Sequence, residues 1–109
     1  MLAVTRFQVP EDQVERFRAD AAALLDALAG RPGFQRGRLT QSVDESGLWA
    51  LITEWDSPGS YRRGLSDHGV RLLAMPLLGW GYDEPSAFEV VAAHDVAVPA
   101  SLGPSTRAR

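Results

Sequence analysis

The strongest constraint on the fold is an amphipathic helical pattern in the first third of the chain. Its apolar residues recur at three- and four-residue steps, at Val14, Phe17, Ala21, Leu24, Leu25 and Leu28. Pro10 precedes the pattern, acidic residues at 11 and 12 suit a first helical turn, and Gly30 and Pro32 end it. Charged residues occupy the other sides. One apolar face of this helix therefore has to be covered by another layer of structure.

Segments rich in β-branched and aromatic residues lie on both sides of this helix. Strands are predicted at Leu2–Val9, Phe34–Val43, Leu48–Trp55 and Ala87–Val96. The turn-forming residues 44–47 join the second strand to the third as a hairpin. A second helical region begins at Ser57 and is interrupted at Gly69 and Pro76, which predicts two short helices joined by a kink. Residues 79–85 are predicted to form a loop.

The order β-α-β-β-α-β predicts an α+β, ferredoxin-like domain with a four-stranded antiparallel sheet. Helices would cover one face of the sheet. Both faces of the strand Leu48–Trp55 are largely apolar, so a second layer is expected on the other face, and a second copy of the sheet would supply it in a homodimer. The domain is expected to span residues 1–96. Residues 97–109, rich in Pro, Gly, Ser and Arg, are predicted to be a disordered tail.

Composition and charge exclude several kinds of function. A net charge of −3 disfavours nucleic acid, which attracts basic surfaces. No apolar run reaches the roughly 20 residues that span a bilayer, and the N-terminal residues lack a signal-peptide pattern, so a cytoplasmic protein without membrane partners is predicted. The chain has no Cys and no Lys, which rules out thiolate, disulfide and lysine Schiff-base chemistry.

Several short motifs resemble the antibiotic biosynthesis monooxygenase family of dimeric α+β barrels. They are the Arg-Pro-Gly-Phe run 31–34, the Trp-Asp-Ser run 55–57, Tyr61, and the Glu-Pro-Ser-Ala-Phe-Glu run 84–89. The resemblance covers residues 2–96 and implies the ferredoxin-like fold and a homodimer. It also implies a monooxygenase that uses no cofactor and acts on an aromatic, polyketide-like phenol.

The haem-degrading branch of that family resembles this chain in outline only. That branch places an Asn on its first strand, and a Trp and a haem-ligating His on the helix after its third strand. Here the first strand offers Thr5, Arg6 and Phe7, and the helix positions fall near Gly64 and Leu73. Haem degradation is therefore disfavoured.

Candidate site residues come from the aromatic, acid–base and cationic side chains of the second half. The candidate catalytic residues are Tyr61, Arg62 and His68. The candidate substrate-binding residues are Trp49, Trp55, Met75, Leu78, Trp80 and Tyr82. Seven of these nine have a structural alternative: core packing for Tyr61 and the two strand tryptophans, solvent exposure for Arg62 and His68, and a dimer contact for the loop aromatics. The two His residues lack metal-ligand spacing, so no metal site is predicted.

Two strand arginines, Arg36 and Arg38, are predicted to point to the same side of the sheet, with Glu54 or Glu89 as anionic partners.

For the function as a whole, three hypotheses stay open. The chain is an oxygenase, a non-catalytic barrel that binds a small apolar ligand or a partner, or a cyclase or isomerase on the same fold. They differ in whether a cavity exists between sheet and helices, and in which polar side chains line it.

Overall fold

The computed structural model describes residues 1–96. Its strands are β1 (Leu2–Gln8), β2 (Phe34–Gln41), β3 (Leu48–Trp55) and β4 (Ala87–Phe88). Its α-helices are α1 (Val14–Ala29), α2 (Pro58–Ser66) and α3 (His68–Ala74), and 3-10 helices span Glu11–Gln13 and Met75–Trp80. The strands form one antiparallel sheet in the order β2-β3-β1-β4. This order confirms the predicted ferredoxin-like α+β fold.

The core lies between one face of the sheet and the helices. Along β3 every second residue is buried, and the face that holds both tryptophans of this strand packs against the helices. The apolar stripe of α1 is buried as its spacing predicts. Three aromatic rings form contacts between α1 and the sheet. The ring centroid of Phe17 in α1 lies 5.2 Å from that of Phe7 in β1 and 5.5 Å from that of Trp49 in β3.

The second helical region divides at Asp67. Ser57 caps α2, its hydroxyl accepting a hydrogen bond from the Ser60 N–H at 3.1 Å, and Pro58 follows in the first turn. Asp67 caps α3 in the same way, accepting from the Val70 N–H at 3.1 Å. Two short helices were predicted correctly, but the predicted break at Gly69 was wrong, since Gly69 lies inside α3.

The Arg-Pro-Gly-Phe run positions the start of β2 against the junction of β3 and α2. Gly33 has a φ of +89°, and a Cβ there would lie 2.4 Å from the Ser60 Cβ and 2.6 Å from an Asp56 carboxylate oxygen. The Asp56 N–H donates to the Gly33 carbonyl at 2.9 Å. Arg31 forms an ion pair with Asp67 at 3.3 Å. These contacts fix where α2 leaves the sheet.

The last predicted strand is much shorter than expected. The prediction Ala87–Val96 was wrong beyond Phe88, where β4 ends. The pairing register sets Phe88 opposite Leu2, the first residue of β1, so β1 offers no partner for residues 89–96.

The predicted loop 79–85 was partly wrong, because its first two residues belong to the 3-10 helix. The predicted disordered tail lies outside the described residues. Within residues 1–96, no helix has the length and apolar composition needed to cross a membrane.

Candidate functional site

A cavity of about 180 Å³ lies between the sheet and the helices. Most of its wall is apolar and comes from β1, β3, the three α-helices and the 3-10 helix Met75–Trp80. For comparison, an apolar cavity of about 150 Å³ holds a molecule the size of benzene. The space is therefore large enough for an aromatic ring, and apolar enough to favour one.

Three residues that carry hydroxyl groups are the polar members of the cavity lining: Thr5, Thr53 and Tyr61. The Thr53 oxygen accepts a hydrogen bond from the Trp55 indole N–H at 2.8 Å, which leaves the Thr53 O–H free to donate. The Tyr61 ring packs edge-on against Trp55 at 5.8 Å, and its hydroxyl makes no hydrogen bond within residues 1–96. The lining includes no carboxylate, imidazole or guanidinium among these residues. The cavity can thus donate hydrogen bonds to a ligand oxygen.

A groove of about 560 Å³ adjoins the cavity. Leu65, Ala74 and Leu78 line both spaces, so these three side chains form the boundary between them. His68 and Arg71 also line the groove. A ligand whose ring occupies the cavity would meet an imidazole and a guanidinium as it extends outward.

The structure brings only some of the nine candidate residues together. Tyr61 and Leu78 line the cavity, and His68 and Met75 line the groove beside it. Arg62 is exposed on α2 and lines neither space.

The four aromatic candidates other than Tyr61 do not line the cavity. Trp49 and Trp55 are 5% and 1% exposed and lie in the core. Trp55 has the local acceptor that a buried indole is expected to find, but the Trp49 N–H is buried without one among the described residues. Trp80 lines a separate groove against α1, and Tyr82 lies on the opposite face of the sheet. Trp80, Tyr82 and Met75 therefore do not lie in one binding site, since they line three different surfaces.

Sequence reasoning missed Thr5, Thr53 and Arg71. A signal for the threonines was present, because the two-residue period places Thr53 on the same face of β3 as Trp49 and Trp55, and Thr5 lies near it on the same face of β1. Two polar residues on the helix-covered face of a sheet mark a polar spot in an apolar layer. Arg71 had no comparable signal, since it is one of several exposed arginines on short helices.

The other face of the sheet is open in the described chain and carries paired charges among apolar residues. Arg6 donates two hydrogen bonds of 2.8 Å to Glu84, and its guanidinium lies 4.6 Å from the centre of the Tyr82 ring. Arg36 donates to Glu54 at 2.7 Å, which confirms one of the two partners predicted for it. Val4, Ile52 and Phe88 provide apolar surface between these pairs.

Because of the Arg6–Glu84 pair, the stability of the folded protein depends on pH in the acidic range. The hydrogen bonds from Arg6, and then its positive charge, lower the pKa of the Glu84 carboxyl below its ordinary value. Because this pKa is depressed in the folded state, the stabilisation is present above the unfolded pKa of about 4.3 and is lost as the pH falls through the folded-state pKa.

We expect Arg6→Met to return the pKa of Glu84 to its ordinary value in an NMR titration. Arg38→Met is the control, and an unchanged Glu84 titration in Arg6→Met would contradict the pair.

The fold and cavity define the class of protein: a ferredoxin-like α+β domain with an apolar cavity between its sheet and its helices. The sequence model of the family described as "Antibiotic biosynthesis monooxygenase" matches residues 1–65. The chain belongs to this family. No curated protein matches the chain.

Solved structures of similar fold include an oxygenase. The chain is similar to an asparagine-to-alanine variant of SnoaB, a cofactor-independent oxygenase from Streptomyces nogalater, with 26% identity and a TM-score of 0.75 over 84% of this chain and 93% of that one. It is also similar to a Deinococcus radiodurans protein assigned to the antibiotic biosynthesis monooxygenases, with 15% identity and a TM-score of 0.75 over 89% and 98% of the two chains. The second likeness shows the fold alone.

Proposed function

We propose that this protein is a cofactor-independent monooxygenase that oxidises an aromatic, polyketide-like phenol in the cavity between sheet and helices. The observation that carries the proposal is an apolar cavity with three hydroxyl groups as its polar lining. The likeness to SnoaB supports the reaction class. A cavity of about 180 Å³ suits the ring that reacts, and the adjoining groove suits the remainder of a larger, polycyclic substrate.

The proposed reaction needs no reductant beyond the substrate. Loss of the phenol proton gives a phenolate whose ring carbon para to the oxygen is electron-rich. That carbon transfers electrons to O₂ and forms a C–O bond, which gives a ring hydroperoxide. Loss of the remaining C–H proton and cleavage of the O–O bond then yield a quinone and one water. One oxygen atom stays in the quinone, the other leaves as water, and the substrate supplies all four electrons.

The side chains around the cavity and the groove have different roles in the proposed reaction. The hydroxyls of Tyr61 and Thr53 donate hydrogen bonds to the phenolate oxygen and stabilise its negative charge, which counts for more in an apolar, water-poor site than in water. Arg71 in the groove adds a positive charge near the boundary, and His68 accepts the phenol proton. The chain contains no Asn, so no side-chain amide of that residue is available for these roles.

We also propose that the active form is a homodimer joined through the open faces of two sheets. Val4, Ile52 and Phe88 would be buried against the second copy, with the pairs Arg6–Glu84 and Arg36–Glu54 around them. A domain of this length buries only about two-thirds of its unfolded surface, so the added burial would stabilise the fold.

The apolar lining also favours a second candidate function, a non-catalytic protein that binds a small aromatic ligand. Among the described residues the cavity wall holds no charged group that could act as acid or base within the cavity itself. Such a protein would bind the same ligands as the oxygenase without converting them. A binding measurement beside the activity assay separates the two.

Oxygen consumption with hydroxynaphthalenes and anthrones tests the proposal. We expect the purified protein, treated with a metal chelator and given no flavin, to consume one O₂ per quinone formed. Ala74→Phe, which places a ring at the boundary between cavity and groove, should lower kcat/KM by about 100-fold. Ala22→Phe on the exposed side of α1 is the matched control. Thermal stabilisation by ligand without turnover would favour the binding protein, and neither turnover nor stabilisation would overturn both.

A further inference from the structure

The cavity between sheet and helices has two sides that differ in exposure. Leu65, Ala74 and Leu78 form its boundary with the groove, and the two leucines of this boundary are exposed. Leu24 and Leu28, the two lining residues that belong to α1, are only 7% and 3% exposed and do not line the groove. These two side chains therefore form an inner wall, and a ring that enters from the groove approaches it from the boundary side.

The cavity is larger than one aromatic ring by about the volume of one small molecule. It measures about 180 Å³, and an apolar cavity of about 150 Å³ holds benzene. The difference of about 30 Å³ equals the volume that one water molecule occupies in the liquid, and O₂ is a molecule of similar size. One phenol ring and one O₂ molecule can thus occupy the cavity together.

The chemistry of the inner wall decides which small molecule it favours. A buried water needs roughly two to four polar partners. The hydroxyl residues of the lining, Thr5, Thr53 and Tyr61, belong to the sheet and to α2, whereas α1 contributes two leucine side chains and no polar group. O₂ is apolar and gives up no strong hydrogen bonds when it leaves water, so it avoids the penalty that a water molecule would meet at this wall. The inner wall therefore favours O₂ over water.

We propose that Leu24 and Leu28 form the O₂-binding side of the cavity, with O₂ held between α1 and the ring of the bound phenol. The inference rests on the proposed function and gives its second substrate a position. The two leucines are one helical turn apart and so lie on one face of α1. The hydroxyl groups bind the phenolate oxygen, and the para carbon lies at the opposite end of the ring. O₂ held against that ring is oriented for the C–O bond described above.

The first test uses O₂ itself, which is paramagnetic and increases the NMR relaxation rates of the methyl protons that it contacts. The ring is supplied by 1-methoxynaphthalene, a methyl ether that has no phenol proton to lose. With this ring bound, we expect O₂ to relax the methyl protons of Leu24 and Leu28 at least about threefold faster than those of Leu25, since apolar cavities bind apolar gases such as xenon. Leu25 is the matched control, because it lies on the same helix but does not line the cavity. Equal relaxation of all three leucines would overturn the O₂ site.

The second test separates the O₂ site from the phenol site by steady-state kinetics. Leu28→Phe places a larger side chain on the inner wall, in the space that O₂ would occupy. We expect KM for O₂ to rise about tenfold, while KM for the phenol changes by less than about twofold. Leu25→Phe is the matched control, since it adds the same ring to α1 outside the cavity. A variant in which both KM values rose together would assign the wall to the phenol and overturn the proposal.

The outcomes distinguish this inference from the proposed function. Selective relaxation of Leu24 and Leu28 in a protein that converts no phenol would overturn the oxygenase and support the O₂ site. Quinone formation without selective relaxation would overturn the O₂ site alone. If 1-methoxynaphthalene did not bind, both would be overturned, because the cavity would not hold an aromatic ring. The relaxation measurement uses the wild-type protein, so it decides the question even if Leu28→Phe does not fold.

Discussion

Replacing Trp55 with Ala should lower the free energy of unfolding by about 3–5 kcal/mol, the usual cost of removing a large buried aromatic side chain. Trp55 is 1% exposed, and its ring lies 5.3 Å from Phe34 and 5.8 Å from Tyr61 between centroids. Gly64 of α2 lies directly against it, where even a Cβ would be 2.8 Å from the ring. Urea unfolding followed by circular dichroism measures the loss.

Trp80→Ala is the matched control for this experiment. Trp80 is half-buried at the end of a 3-10 helix and lines a surface groove, so its removal exposes a smaller apolar area. We expect a loss of about 1–2 kcal/mol, close to the average for a single substitution. If the two variants lost equal stability, Trp55 would not be the central packing residue that its burial indicates.

Local sequence patterns predicted most of the helices and strands, because amphipathicity and helix capping depend on residues that are close together in the sequence. The spacing of apolar residues fixed the buried side of α1, and the Ser57-Pro58 pair marked the first turn of α2 through its capping and backbone geometry. At the next boundary the same reasoning chose the wrong residue. Gly69 has a strong local preference against helix, but Asp67 accepts the hydrogen bond that starts α3 and so sets the boundary.

The length of β4 could not be predicted because it depends on another strand. Residues 89–96 contain three valines and no Pro or Gly, yet a strand exists only where a neighbour supplies hydrogen bonds. The register of β1 decides where that neighbour ends, and register is set by pairing across the whole sheet. The local pattern of residues 89–96 therefore does not show where the pairing ends.

A candidate site between the sheet and the helices could be predicted from the sequence, but the set of residues that line it could not. Tyr61 has the core packing named as its structural alternative, since its ring packs on Trp55, and its side chain also lines the cavity. Trp80 and Tyr82 are two residues apart, yet the chain between them pairs with β1 at Gly81 and carries them to different surfaces. Nearness in sequence predicts nearness in space only within one regular element.

Tyr61→Phe should lower kcat/KM for quinone formation by about 10²–10³-fold, the range for removing one donor that stabilises a developing oxyanion. Phe keeps the ring that packs on Trp55, and the lost hydroxyl makes no hydrogen bond within residues 1–96, so the folded protein should keep its stability. Tyr82→Phe is the matched control, because the other tyrosine of the chain donates to Gln8 on the opposite face of the sheet.

The dependence of the rate on substrate acidity separates catalysis from packing. If the Tyr61 hydroxyl stabilises the phenolate, its loss should matter most for weakly acidic phenols and least for strongly acidic ones, whose anions need less stabilisation. A Tyr61→Phe variant that slows all substrates equally would place the residue in substrate binding instead. A variant that is as active as the wild type would remove Tyr61 from the reaction and leave Thr5 and Thr53 as the hydroxyl donors of the cavity.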